Sequence, residues 1–437
     1  MNNCIRKWIF GIVAACLELI PLQAHAEQLK VGVASEAAIL INTETGHVLF
    51  EKNADQVLFP ASITKVATGL YILEKFGNRL QEQACAKHSA LAWAAVHLKR
   101  NQPARYPSYL LESKATHMGL QVGEKIPVGA LLEALLIWSA NDAANVLAEH
   151  VSGSVPKFMK ELNDYLAFKG FKHTHFDNPH GLHHTEHQTT ARDMAGIARE
   201  AMKFPLFRTI VRQEKAIRPQ TNKQAALAYG QHNLLLRRDR RYFYPHATGI
   251  KNGYESKSKF TLIGSARHEN RDVIAVLLGC PTNDQLYRDA TALFEAAFAE
   301  KKLSRLLLTK DYDTFTLGIK GAKQQLKACM AGDLILDYYP SEEPIAHTAV
   351  DWNVRHLPIQ EGQTVGSIAL IDQNNVILKK MPLLAMERVD PTLLWKTRHY
   401  AALIAKMKLT KVVLLAMIFV SAIAGWIYFR SRNGINE

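Results

Sequence analysis

Apolar residues fall in short dense runs broken by Gly, Asn and Pro. Ala38-Ile39-Leu40-Ile41, the turn Thr45-Gly46 and residues 47–51 predict two strands about a glycine corner. Residues 62–76 carry helical spacing, with Ser62 near the start. An apolar helical run over 131–137 ends at the polar turn Ser139-Ala140-Asn141-Asp142, and helical spacing resumes over 143–150. Residues 260–266 and 273–279 predict adjacent strands, and 289–300 a helix. Helices mixed with hairpin-like strands predict an α/β (α+β) domain with a largely antiparallel sheet. After about residue 302, short runs such as 314–317, 333–337 and 367–371 alternate with Gly, Asn and Pro, which predicts a small β-rich domain over 302–388.

The two ends predict location. Arg6 and Lys7, the apolar run 8–17, Pro21 and the small-x-small site Ala24-His25-Ala26 read as a signal peptide over 1–26. Val13-Ala14-Ala15-Cys16 offers lipoprotein processing as a competing reading. Residues 412–429 contain no charge and approach the length of a transmembrane helix. Lys406, Lys408 and Lys411 precede that run, Arg430 and Arg432 follow it, and Trp426 and Tyr428 sit near one end, as in an aromatic belt. The expected order is signal peptide 1–26, main domain 27–301, β-domain 302–388, membrane-proximal linker 389–411, transmembrane helix 412–429 and cytoplasmic tail 430–437. The body is then periplasmic or external, held to the bacterial inner (cytoplasmic) membrane.

Composition narrows the class. Five cysteines in 437 residues cannot staple a chain this long, and with Cys4 and Cys16 in the leader the remaining three leave at least one thiol free. The formal charge is +13, and 13 Lys/Arg against three acids lie within 203–259. Such a stretch draws in an anionic substrate or is simply a solvated basic face. Nucleic acid is not an expected partner of an exported chain.

Pro60-Ala61-Ser62-Ile63-Thr64-Lys65 holds Ser-x-x-Lys, and residues three apart share a helix face. An amine at Lys65 can therefore reach the Ser62 hydroxyl. Serine attacks only once a base takes its proton, and lysine is such a base when burial and neighbouring cations lower its pKa. Ser139 and Asn141 follow at the end of the apolar helix; a hydroxyl there can relay a proton and the amide can hold a backbone carbonyl. Lys251-Asn252-Gly253 falls just before the strand 260–266. A cation at Lys251 would bind a carboxylate, and Gly253 would let a strand edge approach the ligand.

Ser-x-x-Lys, Ser-x-Asn and a Lys-x-Gly triplet in this order resemble the penicillin-binding proteins and serine β-lactamases. The finer resemblance is to the low-molecular-mass D-alanyl-D-alanine carboxypeptidases. It is carried also by Asp142-Ala143, Leu147-Ala148-Glu149, residues 176–182 (FDNPHGL), residues 190–195 (TARDMA), Asn233-Leu234-Leu235 and Gly249-Ile250-Lys251. It covers about 36–300, with a weaker continuation through 362–366. The resemblance implies a penicillin-binding protein/β-lactamase-like domain in which Ser62 attacks the bond between two D-alanines. Lys65 is then the base, Ser139 the relay, and the N–H groups of Ser62 and Tyr254 the oxyanion hole. Asn141, Lys251, Asn252, Gly253 and Tyr254 bind substrate. The implied partners are peptidoglycan stem peptides and, as covalent inhibitors, β-lactams; no cofactor or metal is implied.

Two departures bear on selectivity. Asn252 stands where the family carries threonine, and Leu286 where an arginine helps hold the substrate carboxylate, with Arg288 two positions on. Acyl transfer is untouched, but a DD-endopeptidase acting on cross-links, or a non-catalytic peptidoglycan-binding protein, stays open. A β-lactamase is disfavoured because Met159 occupies the glutamate position of Glu-x-x-Leu-Asn before Leu162-Asn163. The segment 86–117 is longer than the resemblance implies. His173, His175, His180, His183, His184 and His187 cluster without helical metal-ligand spacing and read as a His-rich loop.

Overall fold

The computed structural model describes residues 27–102, 105–373, 375–406 and 409–433. The expected signal peptide and its cleavage site lie outside the described residues, as does the last part of the expected tail. The chain forms two compact units, one of residues 26–302 with Tyr339–Glu342, the other of Leu303–Tyr338 with residues 343–437.

The first unit is built on five strands: β1 (Ala37–Asn42), β2 (Val48–Lys52), β3 (Ala247–Glu255), β4 (Lys259–His268) and β5 (Arg271–Cys280). They lie in the order β2-β1-β5-β4-β3. Every pairing is antiparallel. The unbroken apolar stretch at the start of β1 follows from burial on both faces. Ala37, Ile39 and Ile41 belong to one hydrophobic cluster, and Ala38 and Leu40 to the other. The first cluster packs under α1 (Thr64–Phe76), α2 (Asn141–Ser152), α3 (Val155–Phe168) and α4 (Ala191–Met202). The second is closed by α5 (Asn283–Ala299). Each fully buried aliphatic side chain contributes about 1.5–3 kcal/mol. Hydroxyl caps set the starts of three helices: Ser154 accepts from Lys157 N–H, Thr190 from Asp193 N–H and Thr282 from Gln285 N–H. The cap at Thr282 starts α5 six residues before the apolar pattern alone suggests.

Lys251-Asn252-Gly253 precedes β4 as expected, and itself lies inside a strand, β3, that the sequence does not predict. β3 interrupts its apolar residues with Thr248, Gly249, Lys251 and Asn252, so it carries little strand signal. It forms the sheet edge beside β4.

Arg271 ties the return segment to this unit. Its guanidinium is buried and binds Glu342 at 2.5 Å, Glu300 at 2.9 Å and the Ser341 hydroxyl at 3.0 Å.

In the second unit, β6 (Leu303–Leu308) pairs with β9 (Leu334–Tyr338). A five-stranded sheet runs β7 (Thr314–Leu317), β8 (Leu326–Met330), β12 (Ile377–Ala385), β11 (Thr364–Asp372), β10 (Ala346–Trp352). Leu326, Met330, Ile368 and Leu383 are among its fully buried core residues. The stretch read as a linker contains helix α6 (Leu393–Lys406), and α7 (Leu409–Asn433) follows. Among the described residues no helix is long and apolar enough to cross a membrane.

Among the described residues, Cys85, Cys280 and Cys329 are free thiols.

Candidate active site

Ser62 sits in a 3-10 turn, Ala61–Ile63, that runs directly into α1. Ala61 has φ +53°, a left-handed conformation that costs a non-glycine residue about 1–2 kcal/mol. The surroundings fix it there. Thr64 Oγ1 donates to Ala61 O at 2.8 Å, and Thr261 Oγ1 donates to Pro60 O at 2.9 Å. Gly181 presses on the same turn: a Cβ on it would meet Ala61 O at 2.0 Å, and its own φ is +93°. Only glycine fits there.

One helical step on, Lys65 is fully buried with Nζ 3.0 Å from Ser62 Oγ. Nζ also donates to the carbonyl of His180 at 2.5 Å. Burial pushes the Lys65 amine well below the usual lysine range, the charge of Lys251 adds to the shift, and Asp142 opposes it. A neutral amine beside a serine hydroxyl can accept its proton. Lys251, buried on β3, is pulled by burial down to about 7, and its Nζ donates to Asn252 O at 2.8 Å.

Ser139 and Asn141 come from the opposite wall. The helix Val128–Glu133 widens into one π turn, Ala134–Trp138, and Ser139 leaves it at φ +68°. Asn141 then opens α2, its N–H donating to Thr116 O at 2.9 Å. Both side chains are buried, and Asn141 Oδ1 has no hydrogen-bond partner among the described residues. An unpaired buried acceptor costs about 1–3 kcal/mol, so it suits a site that a ligand completes. β3 packs against both the Ser62 turn and this π turn, so the three segments meet. At Gly253 a Cβ would lie 2.7 Å from Ser62 N and 2.8 Å from Thr261 Oγ1. Asn252 Oδ1 is likewise buried and without a partner among the described residues, whereas Tyr254 is exposed, its ring 4.5 Å from that of Phe260.

Leu286 is fully buried in the α5 core and cannot touch a ligand. Arg288 is exposed and binds Asp284 at 2.7 Å. Neither supplies the missing arginine.

Three site neighbours have roles that sequence reasoning did not assign. His180 offers Lys65 a backbone carbonyl, a role no side-chain pattern encodes. Its ring is locked as well: Nδ1 accepts from Leu182 N–H at 3.2 Å, so Nε2–H donates to Tyr109 O at 3.2 Å. His232 packs its ring 4.6 Å from that of Trp138, and burial with the charges of Lys251 and Lys65 lowers it to about 4. Trp138 Nε1 donates to His117 O at 3.1 Å. The long segment 86–117 is clamped to the site by Asn145, whose Nδ2 donates to Ala90 O at 3.0 Å and Tyr109 O at 2.8 Å. In the His-rich loop, Asp177 takes His184 at 2.6 Å and His175 at 3.4 Å. Among the described residues no group of three or more His, Cys, Asp or Glu is placed to hold a metal ion.

The arrangement has known counterparts. Penicillin binding protein 6B from Escherichia coli shares the fold, with a TM-score of 0.57 at 21% identity over 82% of this chain and 97% of that one. The protein is thus a mixed α/β molecule with a penicillin-binding-protein-like fold. Residues 23–282 match the D-alanyl-D-alanine carboxypeptidase family, peptidase S11. The D-alanyl-D-alanine carboxypeptidase DacF of Bacillus subtilis is 28% identical over 81% of this chain and 85% of its own length. DacA of Escherichia coli K12 is 25% identical over 88% and 93%. The chain belongs to the D-alanyl-D-alanine carboxypeptidase family, and so to the serine DD-peptidases.

Proposed function

We propose that the protein removes the terminal D-alanine from peptidoglycan stem peptides through an acyl-enzyme on Ser62. The observation that carries this is the 3.0 Å approach of Lys65 Nζ to Ser62 Oγ, with that amine buried beside a second lysine. Lys65 takes the hydroxyl proton as Oγ bonds to the carbonyl carbon. The N–H groups of Ser62 and Tyr254 receive the developing oxyanion, and such donors act on charge present only in the transition state. Ser139 passes a proton to the leaving amine, and D-alanine departs. Water then adds to the ester and restores the serine. Asn141 holds a substrate carbonyl. Lys251 and Asn252 hold the terminal carboxylate, and Gly253 keeps the β3 edge close enough for the peptide to lie along it. β-Lactams acylate Ser62 by the same attack, which opens the ring amide and leaves its protonated nitrogen tethered to the acyl group.

A fluorescent penicillin tests this. Wild type takes the label covalently and Ser62→Ala does not; label on the mutant refutes the nucleophile.

A second reading, DD-endopeptidase action on cross-links, is favoured by the buried Leu286 and by Arg288 being held on Asp284. Without an arginine the grip on a free carboxylate falls to Lys251 and Asn252. A binding protein without turnover is the outcome if penicillin labels the chain and neither peptide is cut.

The proposed arrangement is an exported catalytic domain over 27–301 and a β-domain over 302–388. A linker over 389–411, a span at 412–429 and a short tail hold the protein on the inner membrane. The uncharged 412–429 run between flanking cations supports the anchor.

A further inference from the structure

We infer that His187 is a positioning residue for the nucleophile, acting through the Thr64 hydroxyl on the carbonyl of Ala61. The inference rests on Ser62 being the nucleophile and concerns what holds its turn.

His187 is buried, and its Nδ1 accepts the N–H of Asp177 at 3.1 Å. A backbone N–H can only donate, so the ring proton must sit on Nε2. Nε2 lies 2.8 Å from Thr64 Oγ1. Thr64 has one proton, and it is given to Ala61 O at 2.8 Å. The order is therefore fixed in one direction: Asp177 N–H to His187, His187 to Thr64, Thr64 to Ala61. Each proton is used once, and reversing any member leaves a buried group unpaired.

The last acceptor explains why the chain matters. Ala61 is the left-handed residue immediately before Ser62. Its carbonyl is wedged against Gly181 on one side and accepts both the hydroxyl and the backbone N–H of Thr64 on the other. Losing the hydroxyl leaves that carbonyl with the backbone N–H alone and loosens the turn, which moves Ser62 Oγ relative to Lys65 and β3. Small displacements of a nucleophile cost far more in rate than in binding.

The ring is also kept uncharged. It packs against Phe176 with centroids 5.0 Å apart. Burial first, then His175, His184, His183 and Lys99, disfavour a second proton. A proton on Nδ1 would point at the Asp177 N–H.

The test uses the full chain and a fluorescent penicillin, and measures the acylation rate constant separately from the dissociation constant of the non-covalent complex. Thr64→Val removes the middle hydroxyl at constant shape, and His187→Leu removes its donor. Each is expected to slow acylation about tenfold, the worth of one lost hydrogen bond, while penicillin's dissociation constant moves less than about twofold. The double variant is expected to lose no more than the worse single, because both act through one carbonyl. Thr64→Ser is expected to recover most of the rate. Acylation of Thr64→Val within about twofold of wild type, or losses that multiply in the double variant, overturns the inference while Ser62→Ala still takes no label. Label on Ser62→Ala sinks the underlying reading and this one with it. Should either substitution prevent folding, nitrogen NMR of the wild-type histidines decides: a buried neutral Nε2–H ring bonded to Thr64 is expected, and its Nδ1–H tautomer or a cation refutes the chain.

Discussion

Gly253 lies so close to Ser62 that a methyl group on it would sit 2.7 Å from the serine's backbone nitrogen. The obstacle is main chain, which cannot rotate away. Gly253→Ala is therefore expected to force β3 and the Ser62 turn apart, at about 1–3 kcal/mol for overpacking. Penicillin acylation should fall at least tenfold while the melting temperature drops by only a few degrees. An unchanged acylation rate would show that the two segments are not in register.

Two buried lysines predict a bell-shaped pH profile. Lys65 must be neutral to act as base, and burial holds it well below the usual lysine range. kcat/KM should rise as pH passes upward through that lowered value. Lys251 must be charged to hold a carboxylate, and burial brings it down to about 7. Above that pH the cation is lost and the falling limb begins. A peptide ending in an amide has no carboxylate for Lys251, so its falling limb should vanish.

Acid stability should follow the two buried histidines. His180 and His187 are both held well below the ordinary histidine value by burial. The unfolded chain binds these protons near pH 6.5 and the folded one does not. Their stabilising contribution is full above about 6.5 and shrinks as pH falls below it. Melting curves from pH 7.5 to 5 should show this loss, and His180→Gln should reduce its slope.

Asn252→Thr tests selectivity. If Asn252 loosens the hold on a free carboxylate, threonine should raise D-alanine release from a pentapeptide several-fold relative to cleavage of a cross-linked dimer. Mass analysis of both digests gives the ratio; no change would place the selectivity elsewhere.

Much of this was legible in the sequence where chemistry and periodicity coincide. Ser62 and Lys65 declare themselves by a three-residue spacing that only a helix makes useful. Ser139 and Asn141 follow an apolar run whose end is visible. The strand carrying Lys251 was hidden, because this sheet edge replaces apolar residues with lysine, asparagine and glycine. The π turn that aims Ser139 has no sequence signature of its own. His180 and His187 were visible as residues but not as partners. One contributes a carbonyl and the other a ring proton, and both depend on loops brought together from 64 to 187. Arg271 has its counter-ions 29 and 71 residues downstream, beyond the reach of any local pattern.

That last pairing limits how the molecule can be divided. The chain leaves its first unit at residue 302 but comes back to it for Tyr339–Glu342. A fragment ending at 302 would strip Ser341 and Glu342 from a guanidinium sealed in the interior, leaving Glu300 as its sole carboxylate of the pair. Cutting the gene at the apparent seam therefore yields a core with a stranded cation, and the enzyme is best trimmed only beyond the returning loop.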